Sequence, residues 1–437
     1  MCEHYHVGAW LPEKWESIFT EKEKELIKKS KIDLLLIPEE HEEWDERNKW
    51  KNIAEDIETS IFAGFRDDEW TKGLYYDPES GEEDYYIKHS SSEKIALEKS
   101  DWDPKKSLKT IPFRDFSVGT TICHDHYFSP FMAFQVINGA SLLVNLSGEP
   151  VVREKWGEVL QARAIENSAY VICTMHGTKK DGTNPSKNTN GHVFAFNPYG
   201  ERIKPTEIES GKKVKYKDTK RGNIYTIPVV PEEAKKAKNK LKSQGPRPDI
   251  QPIRDYEVEN PETTETTLSV EIINDKTRLS YSDESTSISI NSSKKFELGD
   301  KRFYLVTIKD QELFEPEKLY LELLSISDKK EINIIIHSHW SNLSNHYLKN
   351  VVEPILRSRS VEWACPVFLT SPRYSRCYEV TKTKLSRRIL LSNQERYNLN
   401  LCLAKNVKSV MKSVHNKYDE MKYIAELCRK KRAKLTS

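Results

Sequence analysis

Apolar residues in the first third of this chain fall into two alternating patterns. Short unbroken runs occupy residues 7–10, 32–37, 60–65, 73–76 and 85–87, and each reads as a buried strand. Between them lie stretches with an apolar side at helical spacing: Ile18, Phe19, Leu26 and Ile27 within residues 16–30, then Trp50, Ile53, Ala54 and Ile57 within residues 50–58. Residues 77–83 make an acidic turn. Further on, residues 116–122 read as a strand, 131–139 as a helix and 140–146 as a second strand. Strands without polar alternation are covered on both faces, and helices between them make crossovers, so the pattern predicts an α/β fold.

The rhythm changes near Pro231. Residues 202–220 are polar and read as a surface insertion; residues 235–244 are basic, and 245–267 are rich in Pro, Thr and acidic residues. This composition suits a linker, which gives a first domain over residues 1–235, a linker over 236–267 and a second domain over 268–437. Within the second, residues 268–296 alternate apolar residues with Ser and Thr as short strands do. Residues 303–308, 332–336 and 363–369 read as strands, and 316–325 and 348–356 as helices. The run Phe303-Tyr304-Leu305-Val306 answers Tyr5-His6-Val7-Gly8, residues 332–337 answer 32–37, and residues 347–352 answer 49–54. Two readings stay open: a degenerate partial repeat of the first domain, or an unrelated small α/β domain. The tail carries Val407, Val410, Val414, Met421, Ile424 and Cys428 at near-heptad spacing among many Lys and Arg residues. It predicts a basic amphipathic helix that packs its apolar stripe on its own domain, or else meets an anionic partner such as nucleic acid or a membrane.

Composition changes this picture little. The 437 residues allow two or three domains, and a net charge of +2 excludes no class of partner. Seven cysteines without a CxxC pair fit a reducing compartment better than a disulfide framework or a zinc ribbon. No apolar stretch has the length of a membrane span, and the N-terminus lacks the charged start and apolar middle of a signal peptide, so a cytoplasmic location is expected.

Candidate chemistry lies at three strand ends. Cys123 follows the run 116–122, where a rigid strand holds the sulfur and the turn leaves it accessible. A thiol is only slightly ionised at neutral pH, so a catalytic one needs a base. Glu39 ends the run 32–37 through Pro38, and Lys88 ends the run 85–87. A carboxylate accepts the thiol proton and an ammonium stabilises an oxyanion, and one sheet edge can gather all three. His124 and His126 flank the cysteine, and His337, His339 and His346 form a second cluster. Such spacing can bind metal, but at the first pair shaping a pocket is the expected role.

These stretches resemble the nitrilase superfamily of carbon–nitrogen hydrolases, whose Glu-Lys-Cys triad occurs in this order. Trp156 and the segment Leu160-Gln161-Ala162-Arg163-Ala164-Ile165-Glu166-Asn167 resemble the family's helix after the nucleophile, and Tyr170-Val171-Ile172 its next strand. Asn190-Gly191-His192 with Asn197-Pro198-Tyr199-Gly200-Glu201 resembles its Gly-His…Asp-Pro-x-Gly-Glu stretch, and residues 223–228 its last strand. The likeness covers roughly residues 5–230 in a consistent order.

The resemblance implies an αββα sandwich, with an additional C-terminal α/β domain and the basic helix lying outside it. It implies hydrolysis of a non-peptide carbon–nitrogen bond through Glu39, Lys88 and Cys123 and a thioester, with no cofactor and no metal. A small amide or nitrile is the implied substrate, a carbamoyl compound another, and a homodimer the implied assembly. The family's second glutamate, which holds the lysine, corresponds to Glu98, with Glu93 as its rival. His124, Asp125, His126 and Tyr127 are the implied pocket and oxyanion residues, and Asp125 matches the family's acidic residue two after the nucleophile. The sequence departs from the family's Phe-Pro-Glu and following arginine, offering Phe128-Ser129-Pro130-Phe131 and Phe134-Gln135 instead. This loss of charge favours a neutral or aromatic substrate. Other readings are a hydrolase gated by its C-terminal domain and a non-catalytic binding protein on the same fold.

Overall fold

The computed structural model describes residues 4–15, 17–67, 71–89, 108–148, 153–177 and 192–244, then 267–273, 276–281, 284–289, 294–298, 301–308, 311–327, 332–340, 347–363, 365–371, 376–380, 387–391, 396–400 and 418–436. Two compact units divide the chain, one formed by residues 1–245 with 430–437 and the other by residues 246–429.

The first unit runs β1 (Tyr5–Leu11), α1 (Glu21–Lys29), β2 (Leu34–Glu43), α2 (Arg47–Ile57), β3 (Ser60–Arg66), β4 (Thr71–Tyr76), β5 (Glu83–Ile87), β6 (Ile111–Phe113) and β7 (Phe116–Ile122). It continues through α3 (Ser129–Ile137), β8 (Ala140–Ser147), α4 (Arg153–Asn167), β9 (Tyr170–Met175), β10 (Phe194–Phe196), β11 (Thr206–Glu207), β12 (Asn223–Val229) and α5 (Pro231–Gln244). Seven strands form one sheet in the order β11-β12-β1-β2-β3-β4-β5, and five form a second in the order β10-β9-β8-β7-β6. In each sheet the three central strands are parallel: β1, β2 and β3 in one, β7, β8 and β9 in the other. Right-handed crossovers place both connecting helices on one face of a sheet. The opposite faces meet, with β2 against β8 and β9, and β4 and β5 against β7. The layers are therefore helix, sheet, sheet, helix.

Burial follows the sequence pattern. All of β8 and β9 and the first six residues of β2 are buried, as unbroken apolar runs require between two covered faces. Under α1 and α2, Trp10, Phe19, Ile27, Trp50 and Ile57 join one apolar cluster. Helix α1 starts at Glu21, later than the apolar spacing predicts, because Thr20 and Glu23 form a reciprocal capping box. Ile18 falls outside the helix and is exposed, contrary to its expected place on the apolar side.

A buried histidine sits within this aromatic cluster. His41 packs at 5.0 Å from Trp10 and 5.4 Å from Trp50, and its Nε2 bonds the Ser17 carbonyl at 2.7 Å. Burial, assisted by the charge of Lys49, lowers its pKa to about 4. The unfolded chain takes up this proton near the ordinary histidine value of about 6.5. Stability is thus fully present above roughly pH 6.5 and declines toward pH 4, by about 3 kcal/mol in all. His41→Phe is expected to flatten that decline, read as the difference between variant and wild type in urea unfolding midpoints from pH 7.5 to 4.5. Equal slopes for the two proteins would mean that the imidazole is already charged in the fold.

Two other expectations change. Residues 235–244 belong to α5, not to a linker: Ala234 and Ala237 are buried at helical spacing and Lys238 donates to the Ala140 carbonyl at 2.8 Å. Residues 202–220 are tied into the edge of the first sheet through β11 and a short turn at Tyr216–Asp218. Residues 245–266, expected as the rest of the linker, lie outside the described residues.

The second unit contains β13 (Thr267–Ile273), β14 (Lys276–Tyr281), β15 (Glu284–Ser289), β16 (Lys294–Leu298), β17 (Lys301–Ile308), α6 (Pro316–Ser327), β18 (Ile332–His339), α7 (Glu353–Trp363), β19 (Val367–Thr370), β20 (Arg376–Val380), β21 (Arg387–Leu391) and β22 (Arg396–Asn400). Trp363 closes α7 rather than opening a strand, and its ring is buried 4.6 Å from Tyr320. One sheet has the order β15-β14-β13-β22 and the other β16-β17-β18-β19-β20-β21. Along the six-stranded sheet, neighbouring strands pair antiparallel, parallel, parallel, antiparallel and antiparallel. The succession from β12 through β1, β2, β3 and β4 to β5 is the same. A final helix, α8 (Tyr418–Thr436), buries Ile424, Ala425 and Cys428 and exposes Lys422, Arg429, Lys430 and Lys431. Val407, Val410 and Val414 lie outside the described residues. No described helix is long and apolar enough to cross a membrane.

Candidate functional site

Strands β2, β5 and β7 bring their C-terminal ends together. On β2, the pairing register with β3 shifts between Ile37 and Glu42, and Glu40 adopts a φ of +50°. This irregularity releases Glu39 from the regular ladder. Gly64 on β3 makes room for it, since a Cβ there would lie 2.4 Å from the Glu39 Cα. The Glu39 side chain is buried, and its Oε1 accepts from Lys88 Nζ at 2.5 Å. Lys88 directly follows β5, and its backbone N–H extends the sheet to the Thr71 carbonyl at 2.9 Å.

Cys123 directly follows β7 with a φ of +46°. A non-glycine residue in this left-handed region costs about 1–2 kcal/mol, so its surroundings must hold it. Asn145 Nδ2 donates to the Cys123 carbonyl at 3.1 Å, and His126 Nδ1 lies 2.6 Å from the same oxygen. A carbonyl only accepts, so His126 carries its proton on Nδ1. The half-buried thiol feels both the Glu39 carboxylate, which raises its pKa, and the Gly148 backbone N–H, which lowers it. Thiol, carboxylate and ammonium thus meet at one point.

The electrostatics follow from enclosure. Burial raises the Glu39 carboxyl above the usual carboxylate range, although Lys88 opposes the shift. Burial raises the Cys123 thiol, and the Glu39 charge adds to this against the pull of Lys88. Burial alone would lower Lys88, but the charges of Glu39, Cys123 and Asp125 outweigh it and raise the ammonium above its ordinary value. At neutral pH the proton therefore rests on sulfur beside a charged lysine.

Of the other expected site residues, His124 is half-buried, stacks 4.9 Å from Tyr127 and meets Phe128 edge-on at 5.5 Å. Asp125, expected in the pocket, is tied to the end of β5 among the described residues. It is fully buried and accepts from Tyr86 Oη at 2.8 Å and from the His89 backbone N–H at 3.1 Å. It therefore ties the end of β5 to the turn after β7, which sets Lys88 against Cys123. His126 is likewise buried, and its role is the bond to the Cys123 carbonyl. Tyr127 is buried, which raises its hydroxyl, and its ring lies 5.4 Å from Trp156. Gln135, expected in a substrate-selecting stretch, instead clamps the β7 backbone: Nε2 donates to the Thr120 carbonyl at 2.8 Å and Oε1 accepts from the Thr120 N–H at 2.5 Å. Glu98 and Glu93 lie outside the described residues.

Reading the sequence missed three groups that build this site. Arg163 donates to the carbonyls of His126 at 2.7 Å and Tyr127 at 3.0 Å while paired with Glu166 at 2.7 Å, all buried. Its signal was available, since an Arg and a Glu three apart among Val159, Leu160, Ala162, Ala164 and Ile165 suggest a buried pair. Asn145, on a strand that is otherwise mostly apolar, was similarly visible. Gly148 was not, because only the fold shows what stands opposite it. A Cβ at this position would lie 2.8 Å from Glu39 Oε2. Gly148→Ala is expected to displace the carboxylate and slow alkylation of Cys123 by iodoacetamide on the order of 10- to 100-fold. An unchanged rate would show that the carboxylate position is not limiting.

In the second unit, His337 is buried with its ring 6.5 Å from His339, and burial, reinforced by His339, lowers its pKa to about 3. His346 lies outside the described residues. Among the described residues no group of three or more His, Cys, Asp and Glu is placed to hold a metal ion.

A two-sheet sandwich with a cysteine on a left-handed turn beside a buried carboxylate and lysine defines a class of enzyme-like α/β domain. Residues 18–228 match the family model for carbon-nitrogen hydrolases, and the N-terminal unit is a nitrilase-family domain. Two hydrolases of the agr operon are similar over 83 residues, or 19% of this chain: one from Staphylococcus aureus at 31% identity and one from Staphylococcus lugdunensis at 35%. The matched segment spans 30% and 34% of those relatives, about a third of their length. Among solved structures, a carbon-nitrogen hydrolase from Helicobacter pylori G27 aligns with a TM-score of 0.43 at 14% identity, covering 55% of this chain and 96% of the other. Saccharomyces cerevisiae Nit3, of branch 10 of the nitrilase superfamily, aligns with a TM-score of 0.41 at 14% identity, covering 55% and 95%.

Proposed function

We propose that the N-terminal unit is a cysteine hydrolase of a non-peptide carbon–nitrogen bond, with an amide as its substrate class. One observation carries this reading: Glu39 pairs with Lys88 at 2.5 Å, and both are close enough to the Cys123 thiol to shift its pKa, so base, cation and nucleophile share one point. Glu39 takes the thiol proton as sulfur attacks the carbonyl carbon. Lys88 and the backbone N–H of His124 hold the oxyanion that forms. As the tetrahedral species collapses, Glu39 returns its proton to the departing amine and a thioester remains on Cys123. Glu39 then removes a proton from water, which attacks the thioester and releases the acid, and the sulfur recovers its proton. A base whose pKa is raised by burial above the usual carboxylate range suits both transfers.

The side chains nearest the nucleophile favour a neutral or aromatic acyl group, because His124, Tyr127 and Phe128 form an aromatic set without a fixed charge. The test is ammonia release from a panel of aliphatic and aromatic amides, nitriles and carbamoyl compounds, with mass spectrometry of the intact protein for an acyl adduct. Ammonia release with an adduct on Cys123 supports the reading. Absence of both across the panel would overturn it in favour of a binding role.

A further inference from the structure

The backbone of Glu39 is held by a residue from the other sheet. His176 directly follows β9 and is fully buried. Its Nε2 lies 3.1 Å from the Glu39 backbone carbonyl, which only accepts, so the imidazole donates from Nε2. Its backbone N–H donates to the Gly148 carbonyl at 3.0 Å. The Gly148 N–H in turn lies close enough to the Cys123 sulfur to lower its pKa. One residue therefore holds the main chain beneath the carboxylate and the peptide that touches the thiol. The ring is itself fixed from both sides. Trp15 stacks on it at 3.7 Å and 12°, and His41 at 5.2 Å and 18°.

We infer that His176 is the positioning residue of this site, setting Glu39 and the Gly148 peptide against the Cys123 sulfur through its side chain and its backbone, with the Trp15 ring locking its plane. The inference rests on the catalytic reading of Glu39 and Cys123. Glu39 sits where the β2 ladder is broken, so its carbonyl lacks the regular sheet bond that would otherwise fix it. The imidazole supplies a replacement from a different sheet, which couples the two layers of the sandwich at the point where their strand ends meet.

The experiment measures the rate at which iodoacetamide alkylates Cys123 from pH 5 to 10, located by peptide mass spectrometry, which needs no knowledge of the substrate. Glu39→Gln serves as the control for the catalytic reading. His176→Leu removes the donor while keeping volume, and His176→Gln retains an N–H near the same place. The expected result is a loss on the order of 10- to 100-fold at pH 7 in His176→Leu with an altered pH profile, and recovery of most of the rate in His176→Gln. An unchanged rate in His176→Leu, or equal losses in Leu and Gln variants that both fold, would overturn the inference. If Glu39→Gln leaves the rate unchanged, the catalytic reading fails instead, so the two failures are distinct. Should His176→Leu not fold, Trp15 gives the second test: Trp15→Ala is expected to slow alkylation severalfold and Trp15→Phe to restore it, and no effect of Trp15→Ala would overturn the inference.

Discussion

Cys123→Ala is expected to abolish hydrolysis of any substrate found for this protein, a loss of at least about 10⁴-fold in kcat, while the chain unfolds as the wild type does. In the proposed mechanism the sulfur forms the covalent intermediate, and its removal leaves Glu39 and Lys88 paired as before at 2.5 Å. Structural damage should be small because the turn is held by its carbonyl, through Asn145 and His126, and not by the thiol. Glu39→Gln separates the steps further. A neutral amide cannot accept the thiol proton or activate water, so turnover should fall by a similar order, and any acyl-enzyme that forms should persist long enough to be seen by mass spectrometry. Ammonia release by Cys123→Ala at more than about a hundredth of the wild-type rate would sink the covalent mechanism.

Arg163→Met is expected to be the most destabilising single change near the site, costing about 3–5 kcal/mol. Arg163 and Glu166 both have fully buried side chains in their ion pair. Losing the guanidinium strands a buried carboxylate and two carbonyls, those of His126 and Tyr127, in the turn that carries the nucleophile. Replacing both partners by methionine should recover part of the loss, because no unpaired charge remains, though the two carbonyls still lack their donor. Urea unfolding of the single and double variants measures both quantities. A single-variant cost below about 1 kcal/mol would mean that water reaches the pair.

Both expectations concern groups whose local context was partly visible along the chain. The apolar runs ending at Glu39, Lys88 and Cys123 placed all three at strand ends, since parallel strands buried on two faces leave an unmistakable unbroken pattern. For Asp125, His126 and Gln135 the sequence does not show which partners they take. Polar residues beside a nucleophile resemble pocket residues in a sequence, whereas here their partners are backbone groups of neighbouring strands. Residues 235–244 were read as a linker because lysines dominate their composition, while two buried alanines at helical spacing decide their structure. For the second unit, the chain offered only a loose rhythm, and the shared succession of strand directions emerged from pairing.

The amino-acid sequence by itself determined which segments become buried strands and helices, the order of the layers' elements and the three reactive side chains. These depend on local periodicity, which neighbouring residues encode. Tertiary structure alone decided that Asp125 joins β5 to the nucleophile turn, that Gly148 leaves space for a carboxylate, and that His176 reaches the Glu39 carbonyl. Those contacts link residues from 39 to 137 positions apart or meet atoms that carry no side-chain signal. Hydrogen bonds across such separations exist only once hydrophobic burial has stacked the two sheets.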